Sequence, residues 1–415
     1  MHNNSTKIFK LEGKVQHYAW GGNAFIPQLL QQQNTSGQPF AEYWMGAHDN
    51  VPSSVVFSDL SVKPLNSFIS EQPVDTLGPV VKERFGRLPF LFKVLDVKDM
   101  LSIQVHPSKE AAVLEFAAEN KKGTPLNASN RNYKDDNHKP ELMYALSEFW
   151  LLHGFKPAGS LKKVLQAVPE LNFLLPVFEQ GGYPELYKVV MEMPQDEVDS
   201  RLRPLLDRIL PLYAEGKLPK TNEDFWAARA ANTYNEGGKT DRGIFSIYIF
   251  NLVHLQTGDT VFQDAGIPHA YLEGQNMELM ANSDNVLRGG LTPKHVDVSE
   301  LMKHVRFEPV TPHIIKGITG EVPEEQVYVT PAADFELRSI RLAAGQQINL
   351  VSNTVEIFFV YEGAVDALSG EAHVAVHKGE AMVAIAGAVT AFKAQQETLL
   401  FRATTPSVEA KTTAS

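Results

Sequence analysis

Three short runs of this sequence carry side chains that could hold a metal ion. In Gln104-Val105-His106, residues two apart on a strand share a face, so an amide oxygen and an imidazole project together while Ile103 and Val105 face the core. In Asn137-His138-Lys139-Pro140-Glu141, the proline favours an extended Lys139, which puts Lys139 and Glu141 on one face and His138 on the other. In Gly258-Asp259 through Gly266-Ile267-Pro268-His269-Ala270-Tyr271, a glycine-rich turn leads into a strand that offers His269 and Tyr271 together. Each run alone has a plainer reading: a wet strand face, a solvated charged turn, a structural histidine. Together Gln104, His106, Glu141 and His269 supply two nitrogen and two oxygen donors, a mixture that suits zinc. A fourth run, from Glu278 to Lys294, sets Arg288 and Lys294 on either side of Gly289-Gly290. A planar guanidinium fork and a point-charge ammonium so placed suit an anion.

Residues this far apart in the chain meet only if a closed β-scaffold gathers them. The glycine turn followed by Pro-His resembles the second half of a cupin metal motif. The expected fold is therefore mainly β, with cupin-type jelly-roll barrels and an inserted helical part. Residues 1 to about 107 read mostly as strands, notably PSSVVFSDL and LPFLFKVLDVKDMLSIQVHP. A short helix begins after Ser108, a candidate cap, and the polar stretch KKGTPLNASNRNYKDDN reads as a loop.

From Pro157 to Tyr234 the spacing turns helical in four segments: LKKVLQAVPELNFLL, ELYKVVMEM, DEVDSRLRPLLDRILPLYAEG and TNEDFWAARAANTY. Thr221 and Asp224 fit a capping box for the last. Strand pattern returns at GIFSIYIFNLVHL, and a final β-rich stretch spans about 325–403. These boundaries predict a catalytic part over 1–156 and 235–320, a helical insertion over 157–234 and a C-terminal part over 321–415. One repeat is visible. Gly258-Asp259, Gly266 and His269 are matched in spacing by Gly379-Glu380, Gly387 and Thr390. The second copy ends on a threonine, a poor zinc ligand, so the C-terminal part is expected to be a degenerate cupin without metal.

The formal net charge of -11 argues against a nucleic-acid binder. With no cysteine, disulfides and thiolate metal sites are excluded. No apolar run reaches membrane-span length and the first residues lack a secretory apolar region. A cytoplasmic protein is expected, monomeric or at most a weak homodimer, with no nucleic-acid or membrane partner.

The runs HYAWGG (17–22), SIQVHP (102–107), YKDDNHKPE (133–141), PHAYLEG (268–274) and NSDNVLRGGLTPKHVD (282–297) resemble type I phosphomannose isomerases of the cupin superfamily, in the family order. The turn DAGIPHAYL departs from relatives that place an asparagine before Pro-His, and the C-terminal region carries no matching motif. The resemblance implies one zinc ion per chain at Gln104, His106, Glu141 and His269. It places Lys139 and Arg288 in the active site, with Glu278 and Asp284 as further catalytic candidates. Trp20, Lys93, Ser102, Tyr271 and Lys294 would contact the sugar phosphate. The implied reaction interconverts mannose 6-phosphate and fructose 6-phosphate through a cis-enediol, with a proton moved between C1 and C2. A zinc-bound water, Lys139 or an acid such as Glu278 are alternative bases. The competing readings are an iron-dependent cupin oxygenase, which Gln104 in a histidine's place disfavours, and a non-catalytic hexose-phosphate-binding cupin.

Overall fold

The run from Phe90 to Val97 is apolar at all but two positions and buried at all eight, as a strand covered on both faces must be. It lies inside a ten-stranded antiparallel sheet. From one edge the order is Phe250–Leu255, Phe149–Phe155, His269–Ala281, Phe90–Val97, Glu42–Gly46 and Lys14–Gln16. Four short strands attach to this path: Thr260–Gln263 on Glu141–Ala145, and Leu287–Arg288 on Gln104–Val105. The structure, a computed structural model, describes residues 6–407.

Alternation sorts the side chains. Phe90, Phe92 and Val94 join Leu142, Tyr144, Met277 and Leu279 in a core shared with Leu337, Phe359 and Phe401 of a second, nine-stranded sheet. The intervening Lys93, Glu141 and Glu278 face the other way, with Leu95, Met143 and Ala145. One side of the sheet is thus an ordinary apolar core, and the other holds the ionisable groups.

The nine-stranded sheet runs from Ile318–Thr319 through strands 325–328, 336–342, 398–404, 356–362 and 381–384 to Ile8–Glu12, Ser54–Val56 and Val62–Pro64. The N-terminal strand is therefore hydrogen-bonded to Ala381–Ala384. A four-stranded sheet of residues 347–352, 388–394, 364–369 and 372–377 packs beside it around Phe358, Phe392 and Leu400. Between Phe149–Phe155 and Phe250–Leu255, which pair directly, the chain forms helices Ala158–Ala167, Leu174–Glu192, Gln195–Ala214 and Glu223–Tyr234. Their apolar stripes bury Leu161, Leu186, Leu202 and Trp226 against Trp150, Leu152 and Phe155.

The mainly β expectation holds only in part. Ten α-helices stand beside twenty-three strands among the described residues. Helices Leu65–Glu71 and Pro73–Phe85 interrupt the stretch read as strands. Leu65, Phe68 and Ile69, and Leu77, Val81 and Phe85, recur at helical spacing and lie in or against the core, a period that the strand reading passed over. Gly243–Ile249 is a helix that passes straight into the strand Phe250–Leu255. Every residue of that helix is buried, and a nearly continuous apolar run has no period to distinguish helix from strand. Ser108 caps helix Lys109–Lys122 by accepting from the Ala111 N–H. At Glu223–Tyr234 the cap is Asn222, which accepts from Asp224, rather than Thr221. No helix among the described residues is long and apolar enough to cross a membrane.

Candidate active site

His106 follows the two-residue strand Gln104–Val105, whose Gln104 is paired with His269 on one side and Arg288 on the other. Glu141 opens the strand Glu141–Ala145, and His269 opens the strand His269–Ala281. The register of those two strands sets Glu141 opposite Met280. The result is a buried triad of His106, Glu141 and His269, whose candidate ligand atoms all lie within 4.8 Å of one another. Glu141 Oε1 is 3.4 Å from His106 Nε2, and its Oε2 is 3.3 Å from His269 Nε2. Neither Nε2 makes a regular hydrogen bond, although both are sealed from solvent.

The remote ring nitrogens are fixed. His106 Nδ1 lies 2.8 Å from the Asn285 carbonyl and His269 Nδ1 2.9 Å from the Ile267 carbonyl. Donating there, each ring leaves Nε2 as a free lone pair, the form a metal needs. Burial, with the Lys139 charge adding, pushes His106 down to about 4, so it is a neutral imidazole. Burial opposes ionisation of Glu141, yet the Lys139 charge and the imidazoles hold it well below the usual carboxylate range. Two imidazoles around an ionised carboxylate, with two buried ring nitrogens unused, fit a divalent cation.

Lys139 Nζ is 2.8 Å from Glu141 Oε1, so these two do share a face, while His138 turns away to Asp334 at 2.9 Å. Lys93 is buried between Glu278 Oε2 at 3.2 Å and Glu42 Oε2 at 3.3 Å, and lies over the Trp44 ring. Burial alone would lower its pKa, but the two carboxylates more than reverse this. Tyr271 donates to Glu278 Oε1 at 3.0 Å. Burial and then the Glu141 charge raise the Glu278 pKa, against the pull of Lys93. Asp284 Oδ2 lies 3.1 Å from His48 Nε2. Burial opposes its ionisation, but His48, Lys139 and Lys93 prevail and lower its pKa.

Arg288 is half-buried, and burial lowers its pKa. Lys294 is more exposed, its pKa lowered by burial and by the Arg288 charge. Neither cationic head has an ion pair or hydrogen bond among the described residues. Ser102 is half-buried between Leu101, bonded to the Tyr271 carbonyl, and Ile103, bonded to the Gly290 carbonyl. Trp20 stacks on Tyr18 and packs on the core that includes Tyr271.

Several participants carry no signal that spacing reveals. Glu42 shares a strand face with Trp44 opposite Lys93, which alternation in EYWMG would allow but not single out. Asn285, fully buried, accepts from Lys134 N at 2.7 Å and donates to the Asn137 carbonyl at 2.9 Å. With its own carbonyl on His106, it stitches the loop before Lys139 to a candidate ligand.

This arrangement has counterparts among known proteins. The phosphomannose isomerase type I catalytic domain matches residues 8–158. Mannose-6-phosphate isomerase of Escherichia coli K12 is 36% identical over 375 residues, 89% of this chain and 93% of the relative. The human mannose-6-phosphate isomerase is 32% identical over 390 residues, 87% of this chain and 89% of the relative. A crystal structure of mannose 6-phosphate isomerase from Salmonella typhimurium, bound to substrate and a zinc atom, superposes with a TM-score of 0.85. It is 33% identical, and the match covers 97% of this chain and all of that one. With this identity sustained over nearly its whole length, the chain belongs to the type I phosphomannose isomerase family.

Proposed function

We propose that the chain is a zinc-dependent isomerase that interconverts mannose 6-phosphate and fructose 6-phosphate. The observation that carries this reading is the convergence of two buried, unused Nε2 atoms on the Glu141 carboxylate. Gln104, His106, Glu141 and His269 would hold the ion. A zinc ion held there would supply a Lewis acid for the carbonyl and hydroxyl oxygens of the open-chain sugar.

The remaining work falls to the chain. The proton that passes between C2 and C1 through a cis-enediol needs a base, and the chain offers two: Glu278, whose pKa is raised, and Lys139 once its ammonium, 2.8 Å from Glu141, has given up a proton. Glu278 is fixed by Lys93 and Tyr271 and shapes the field around the enediol. Asp284, held by His48 and within reach of the Lys139 and Lys93 charges, would serve the hydroxyl protons. Arg288 and Lys294, cations without partners among the described residues, take the phosphate, with Ser102 and Trp20 beside them.

The scaffold reads as a catalytic cupin barrel with residues 157–234 inserted. The insertion borders the site without supplying ligands: Tyr234 donates to the Met100 carbonyl and Arg229 to the Lys98 carbonyl, just ahead of Ser102. The C-terminal part from residue 321, described as far as residue 407, reads as a degenerate cupin whose sheet takes in the N-terminal strand. A coupled assay on the zinc-loaded chain tests the function. Conversion of mannose 6-phosphate to fructose 6-phosphate is expected; tight hexose-phosphate binding without turnover, or oxygen uptake with iron, would sink the reading.

A further inference from the structure

The loop that carries Arg288 and Lys294 is held in an unusual shape from outside. Leu291, fully buried, sits in the left-handed region at φ 54°, directly after Gly290 at φ 117°. A branched side chain rarely adopts that conformation unless its surroundings impose it. What imposes it is Asp241, in the short connection between the helical block and the helix Gly243–Ile249. Its Oδ1 accepts from the Leu291 N–H at 2.8 Å and the Gly243 N–H at 2.7 Å, and its Oδ2 from the Thr292 N–H at 3.0 Å.

The two backbones are in direct contact. A Cβ on Gly243 would meet Leu291 N at 2.6 Å, and one on Gly290 would meet Gly243 Cα at 2.6 Å. On its far side the loop is tied to the residue before Gln104: Gly289 N donates to the Ile103 carbonyl at 2.9 Å, and Ile103 N to the Gly290 carbonyl at 3.0 Å. Thr292 Oγ1 then accepts from Lys294 N at 3.1 Å. One carboxylate therefore fixes the turn between the two partnerless cations.

We propose that Asp241 is a positioning residue for phosphate recognition: its carboxylate locks the turn at Leu291 and so sets how Arg288 and Lys294 converge on the substrate phosphate. This rests on the reading that those two cations take the phosphate. Asp241 itself touches no substrate. Its place at the end of the helical block means that the block is coupled to substrate affinity through backbone hydrogen bonds to the loop.

The test compares Asp241→Ala, Asp241→Asn, Arg288→Ala and the Asp241→Ala/Arg288→Ala double variant, all zinc-loaded. KM and kcat for mannose 6-phosphate are measured, with the inhibition constant of inorganic phosphate. Asp241→Ala is expected to raise both KM and the phosphate inhibition constant about tenfold, with kcat changed by less than about twofold. Asp241→Asn should raise them less, because the amide oxygen still accepts both Oδ1 bonds while the NH2 opposes only the Thr292 N–H. The double variant should lose less than the sum of the two single losses, because Arg288 acts through the same loop, with the remainder carried by Lys294. Should Asp241→Ala not fold, Asp241→Asn decides by the same readouts.

An Arg288→Ala effect with none from the Asp241 variants overturns the inference alone. Additive losses in the double variant, or a fall in kcat at constant KM, overturn it as well. Unchanged phosphate inhibition in Arg288→Ala overturns the phosphate reading and the inference with it.

Discussion

The unit from Gly258 to Ala281 and the unit from Gly379 to Ala394 are built on the same plan. Each begins at a left-handed glycine, runs through a four-residue strand, turns at a second left-handed glycine, Gly266 or Gly387, and enters a longer strand. At the same offset one presents His269 and the other Thr390, both almost fully buried. The surroundings then diverge. Around His269, two imidazole nitrogens are left without hydrogen bonds. In the C-terminal part the buried charges are matched: Arg402 meets Glu356 at 2.8 Å and Glu325 at 3.0 Å, and Arg338 meets Glu325 at 3.0 Å and Glu336 at 2.6 Å. Taking charge out of water is costly unless it is paired. A closed ionic network is therefore an end in itself. Single polar atoms such as Thr390 Oγ1 are left unpaired elsewhere, but two imidazole nitrogens converging on one carboxylate mark the place for a ligand.

The contrast is most easily broken at His269. His269→Ala should lose the zinc, near one equivalent in the parent, and with it at least about a thousandfold in activity, since an open ligand set cannot be closed by alanine. A variant that retained a full equivalent by metal analysis and normal turnover would remove the ligand assignment. Lys139→Ala should lower kcat by about a hundred- to a thousandfold with little change in KM, the pattern of a group used in the transition state. A raised KM at constant kcat would move Lys139 to ground-state binding.

Arg402→Met attacks the closed network instead. It strands Glu356 in the core, leaves Glu325 with Arg338 alone, and should cost about 3 kcal/mol of stability by denaturant titration. KM and kcat should stay at parent values. A loss of turnover in folded Arg402→Met protein would show that the C-terminal network also serves the chemistry. The smallest effect is expected for Thr390→Val. The buried Oγ1 has no hydrogen-bond partner, so removing it should change stability by no more than about 1 kcal/mol. Zinc content should be unaltered; a fall would mean the second unit holds metal.

What sequence made legible follows from the range of the interaction. The pair Lys139/Glu141 could be read because strand geometry acts over two residues, and the structure does set Lys139 on Glu141. The matched glycine spacing of the two units could be read for the same reason. Glu278 and Asp284 came only through resemblance, because what places them is Lys93 and His48 on distant segments. Asn285 and Asp241 act on backbone N–H and carbonyl groups far along the chain, which leave no trace in residue type or spacing. Asp334 is hidden likewise: it reaches His138 from the far end of the chain, between strands Glu325–Tyr328 and Glu336–Leu342.

The thirteen-residue strand His269–Ala281 pairs with four others, including those that carry Lys93, Gln104 and Glu141. This has a consequence for the order of folding. Contacts between remote segments close slowly, after local structure has formed. The helices between Ala158 and Tyr234 hold their own backbone hydrogen bonds and can form early, before they pack on the sheet. The ligand set is completed only when the long strand docks between partners synthesised well before it. An ion in solution thus meets no nucleus to stabilise in the unfolded chain, unlike the small domains that metal folds outright. Here the ion arrives at a finished cradle.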